Sequence, residues 1–172
     1  MRRLCLLAVL AALFLLAGCG QVQVISLEAS WAGNYPDLHS LKQAADLAIR
    51  GRIAGVASVT TEQGTPYTDF NVSVSKVLVS RSGARPSTIL LHQTGALEGN
   101  TLYQIDDDPL FQVGEQVILF LHEYAPGRYF VLGGPRGRLE VDKDGLVRPI
   151  NNEGLKLAPT PEGQFENMVE SA

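Results

Sequence analysis

Cysteine is nearly absent from this chain: Cys5 and Cys19 are the only two in 172 residues, and both lie in the N-terminal stretch. A disulfide framework is thereby excluded, so any fold must be held by its own apolar core. Histidine is also sparse. His39, His92 and His122 have no metal-pair spacing, and they read as surface or strand-end histidines. His122-Glu123 begins like a zincin motif, but Pro126 stands where the second histidine is needed. No serine sits in a Gly-x-Ser-x-Gly elbow. The glycine-rich Gly133–Arg138 lacks the Lys-Ser/Thr pair of a phosphate loop. These absences leave no catalytic constellation and no cofactor motif, and they favour a non-enzymatic role. Basic charge is short as well: 14 Lys and Arg against 18 Asp and Glu give a net −4. An acidic chain is a poor partner for nucleic acid. The longest apolar run, Leu4 to Leu16, falls short of the roughly 20 residues a membrane-spanning helix needs.

That run has another use. Arg2-Arg3, the apolar centre and the small residues Ala17-Gly18 form the three parts of a secretory signal over 1–18. The order Leu16-Ala17-Gly18-Cys19 resembles the lipobox of bacterial lipoproteins. The resemblance implies cleavage before Cys19, a diacylglycerol on its thiol and an acyl chain such as palmitate on the new amino end. Several acyl chains on one residue suffice for stable anchoring. The chain is then expected on the extracytoplasmic side of a cell membrane or outer membrane. Loss of Arg2 and Arg3 with the signal takes the net charge to −6.

Along the remainder, 19–35 reads as a lipidated cysteine and a tether, with one extended piece at Val22–Leu27 and with Trp31 near either the domain or the headgroups. Residues 36–149 read as the folded domain and 150–172 as a polar tail with at most one helical turn at Phe165–Val169. Asp37 or Ser40 caps a short helix that ends near Asp46. Period-two patterning then takes over. Leu47, Ile49 and Ile53 share one face, and the phase changes at Gly55, which marks a bulge or bend. Phe70, Val72, Val74 and Leu78 share a face of the next strand. Further strands are expected at Thr88–Gln93, Gln116–His122, Arg128–Leu132, Arg138–Val141 and Leu146–Arg148. Val117 to Leu121 is apolar on both faces, as in a fully buried strand. Thr94–Asp108 carries no clear period and reads as a long loop. The fold class is mainly β: a small antiparallel OB-like barrel, with a β-sandwich as the alternative, and one short N-terminal helix.

Three blocks carry a wider resemblance: Ser40–Ile53, Asp108–Leu121 and Gly133–Arg138. They look like a set of poorly characterised bacterial secreted and lipid-anchored domains, which implies the domain type and no particular activity. Two regions are candidates for contact with a ligand or an envelope protein. One is the Thr94–Asp108 loop with Tyr103; the other is a cationic patch of Arg128, Arg136 and Arg138. Asp106-Asp107-Asp108 is the densest negative cluster and a candidate for a hard cation, although consecutive extended residues point alternately. The leading expectation is a membrane-anchored extracytoplasmic binding module. A metal-assisted envelope hydrolase using Asp106–Asp108 and a structural or inhibitor-like domain are the alternatives.

Overall fold

A computed structural model describes residues 21–31 and 33–172; Cys19 and the signal expected over 1–18 lie outside the described residues. The elements in chain order are β1 (Gln23–Leu27), α1 (Leu38–Ala44), β2 (Leu47–Glu62), β3 (Thr65–Ser80), β4 (Thr88–Thr94), β5 (Ala96–Glu98) and β6 (Thr101–Ile105). Then come β7 (Gln116–Ala125), β8 (Arg128–Val131), a 3-10 turn at Gly134–Arg136, β9 (Arg138–Val141), β10 (Leu146–Pro149), β11 (Thr160–Pro161) and α2 (Glu162–Ser171). The protein is mainly β.

Five strands close a ring. Antiparallel pairing joins β2 to β3 and β3 to β4; β4 then runs parallel to β8, β8 pairs with β7, and β7 returns to β2. This is a small OB-like barrel. Its interior holds Leu47, Ile49, Ile53, Phe70, Val72, Leu91, Val117, Leu119, Leu121 and Tyr129. These are the period-two faces read from the sequence. The register slips between Ile53 and Gly55, where the apolar phase changes, and such bulges bend a long strand into a closed sheet.

The doubly apolar strand has a second neighbour. Opposite the barrel interior, Ile118 and Phe120 of β7 pack with Leu139, Val141 and Val147 of β9 and β10 and with two helices. Leu41 of α1 and Phe165 and Val169 of α2 are each fully buried in this outer core. The Asp37 side chain and Ser40 form a reciprocal capping box at the start of α1, which satisfies amide groups that a helix start otherwise leaves unpaired.

Two sequence readings are corrected. The C-terminal stretch is not a loose tail: the turn expected at Phe165–Val169 belongs to a helix of 10 residues that both side chains, at i,i+4, dock into the core. The folded unit thus continues through 172, with two helices rather than one. Nor is Thr94–Asp108 a plain loop. β5 and β6 form a hairpin, and β1 adds to β6 in parallel from Gln23↔Thr101 to Leu27↔Ile105. Within these three strands only Ala96 and Ile105 are buried, so the alternation that would announce strands is missing. The segment expected to tether the domain is part of it from Gln23 onward. Among the described residues no helix is long and apolar enough to cross a membrane.

Candidate ligand-binding groove

The barrel wall not covered by helices carries a row of side chains in register. Ser58 of β2 lies opposite Asp69 of β3, and Asp69 opposite His92 of β4. The Leu91↔Tyr129 pairing brings His92 alongside Phe130 of β8, which faces His122 of β7. All point outward because the alternate residues, Phe70, Leu91, Tyr129 and Leu121, fill the interior.

Asp69 organises one end. It is only 4% exposed, and its carboxylate takes the Ser58 hydroxyl at 2.9 Å, His92 Nδ1 at 2.7 Å and Arg128 Nη2 at 2.7 Å. Burial pushes its pKa up, but the hydrogen bonds from His92 and Ser58 and the charges of His92 and Arg128 outweigh that and hold it below the usual carboxylate value. An ionised carboxylate only accepts, so His92 Nδ1 carries a proton, and Nε2 is the ring atom left for a ligand. The imidazole is held on its faces too: Tyr67 stacks at 4.7 Å and Tyr124 tilts against it at 5.6 Å. His122 repeats the pattern, with Nδ1 at 2.7 Å from Asp46 Oδ2 and its ring 5.1 Å from Phe130.

A cavity of about 470 Å³ opens over this row. His92, Thr94, His122, Phe130 and Leu132 line its floor, Ile105 and Asp108 one side, and Ser30, Trp31 and Tyr35 the N-terminal wall. Gly133 and Gly134 seat that wall. Both are left-handed, with φ of +61° and +54°. A Cβ on Gly134 would stand 2.4 Å from the Trp31 ring, and one on Gly133 2.8 Å from Tyr35. The Gly-Gly pair is therefore a seat for two aromatic rings as well as a turn. Trp31 Nε1 also donates to Asp107 at 3.2 Å, so Trp31 packs on the domain.

The cationic patch expected from the sequence does not form. Arg138 is 1% exposed: Nη1 meets Asp108 Oδ1 and Nη2 meets Glu115 Oε2, each at 3.0 Å, and the guanidinium lies 3.6 Å from the Phe111 ring centre. It holds the core and has no surface to offer. Arg136 reaches the Tyr35 carbonyl at 3.3 Å, while exposed Arg128 is committed to Asp69. Tyr103 is half-buried on β6, opposite Ile25 and Ala96, outside the groove. The three consecutive aspartates part company. Asp106 accepts from Ser26 at 2.6 Å, Asp107 from Trp31, and Asp108 pairs with Arg138. Among the described residues no three His, Cys, Asp or Glu side chains gather as a metal site.

Sequence reasoning passed over His92, His122, Asp69 and Phe130 as a group. The one available signal was large or titratable side chains at the outward positions of strands whose inward positions were already apolar. No family model and no curated protein sequence matches this chain.

Proposed function

We propose that this protein is a membrane-anchored, extracytoplasmic binding module, held by lipid on Cys19 and taking its ligand in the groove between the β4–β8 wall and Trp31–Tyr35. One observation carries the reading: an imidazole already oriented by a buried carboxylate faces a concave, largely apolar cavity of the size small-molecule sites have, about 300–1,000 Å³. Building such an arrangement requires a buried charge with every partner in place, which a featureless wall would not contain. The hydrolase alternative loses its carboxylate cluster, since Asp106, Asp107 and Asp108 face three different partners.

Trp31 is the only tryptophan in the chain and lies in the groove wall, so its emission reports directly on occupancy. Titrating the purified chain with a protein-free extract of bacterial envelope should give a saturable emission change that His92→Ala removes. An unchanged response in that variant overturns the groove as the site. Anchoring is read separately with a fatty-acid analogue: the wild type should incorporate label and Cys19→Ala should not.

A further inference from the structure

We infer that the ligand of this groove is an uncharged saccharide, an inference that rests on the groove being the binding site. Three carboxylates near its wall have cations of their own, while Asp107, outside the lining, is held by Trp31 Nε1. Asp108 is paired with Arg138, and the two behind the imidazoles have their own cations: Asp69 has Arg128 at 2.7 Å and Asp46 has Arg81 at 3.3 Å. A charged ligand entering here would lose water and find in the lining no Lys, no Arg and no carboxylate but the paired Asp108, which is costly. The polar groups left for a ligand are the Ser30 and Thr94 hydroxyls and the Nε2 atoms of His92 and His122.

Their arrangement suits a sugar ring. The Phe130 ring lies 5.1 Å from His122 and 6.1 Å from Tyr124, which in turn lies 5.6 Å from His92, so the two imidazoles and Phe130 belong to one aromatic row. A pyranose has an apolar face of C–H groups that covers an aromatic ring, and hydroxyls around its edge. Seated on Phe130, it turns its hydroxyls toward the imidazole nitrogens that line the same cavity, and a hydroxyl can donate to or accept from such a nitrogen. Trp31 and Tyr35 offer further ring surface along the wall.

The test uses the full chain in a detergent without a sugar headgroup, with Trp31 emission as readout. The probes are a panel of neutral tetrasaccharides (chito-, cello-, malto- and mannotetraose), a tetra-uronate and a set of tetrapeptides. At least one neutral tetrasaccharide should bind saturably, with little response to the tetra-uronate. Phe130→Ala should weaken that binding by about tenfold or more, and His92→Gln should weaken it several-fold. Phe130 is 36% exposed, so its loss is tolerable to the fold; should far-UV circular dichroism show otherwise, Phe130→Leu removes the ring face while keeping apolar bulk. Failure of the whole neutral panel, an equal response to the tetra-uronate, or binding that survives both variants overturns the saccharide. A Phe130-dependent response to a tetrapeptide or to the envelope extract alone would sink the saccharide and leave the groove standing. No Phe130-dependent response to anything would remove both.

Discussion

Replacing Arg138 with methionine separates a structural arginine from a ligand-binding one, and the size of the effect follows from its surroundings. Its guanidinium is buried, bonded to Asp108 and Glu115 at 3.0 Å each and stacked on Phe111. Removing one member of a buried ion pair leaves the other uncompensated and costs about 3–5 kcal/mol. Much of that cost falls on Asp108, whose pKa burial already raises while Arg138 partly offsets the rise. A carboxyl with a raised folded pKa takes up its proton more readily folded than unfolded. Stability from that source is therefore greatest at low pH and is lost as pH climbs through the folded value. Without Arg138 that value climbs further, so the penalty of Arg138→Met should be smaller in acid, where Asp108 is protonated, than at neutral pH, and is compared at about pH 4 and about pH 7. Urea denaturation at the two pH values gives both numbers. The double variant Arg138→Met/Asp108→Leu should regain most of the loss at neutral pH, because an apolar pair of similar volume often replaces a buried ion pair at little cost. A single-variant penalty below about 1 kcal/mol, or one independent of pH, would show that the pair is not buried as described.

Three further outcomes follow from the packing and the row. Phe165→Ala should cost about 3–5 kcal/mol and lower the melting temperature by roughly 2–4 °C per kcal/mol; thermal melts that coincide with wild type would return α2 to the status of a tail. Gly134→Ala puts a methyl into the Trp31 ring and a side chain into left-handed backbone, which should cost about 1–2 kcal/mol and shift Trp31 emission to the red; an unshifted spectrum would place the ring elsewhere. Asp69 has a lowered pKa, so its contribution is present above the unfolded value of about 3.9 and fades as pH falls through the folded one. Asp69→Asn should therefore be less stable than wild type at neutral pH and lose less on acidification, as urea curves between about pH 2 and about pH 6 would show.

The barrel was legible because its strands advertise it. Phe70 and Val72 alternate with polar neighbours, and the slip at Gly55 falls where the apolar phase changes. The apolar faces of β7 also announced two neighbours, although the second core was hidden because Phe165 and Val169 sit in otherwise polar sequence. The groove was far less legible. Its lining comes from β4, β6, β7, β8 and the N-terminal segment, and the row behind it is joined by cross-strand register, a property of pairing that no single segment displays. Arg138 shows the opposite error. Beside Arg136 in a glycine-rich turn it reads as surface charge, yet it enters the core because Asp108 and Glu115 are brought to it from distant sequence.

The three histidines provide the most direct test. His39 lies on α1, its Nε2 already 2.7 Å from Gln43, while His92 and His122 face the groove. Side-chain ¹⁵N NMR of the chain titrated with the envelope extract should move the Nε2 resonances of His92 and His122 together and saturably, with His39 unmoved. Equal movement of all three, or stationary groove histidines while Trp31 emission responds, would contradict binding in this groove.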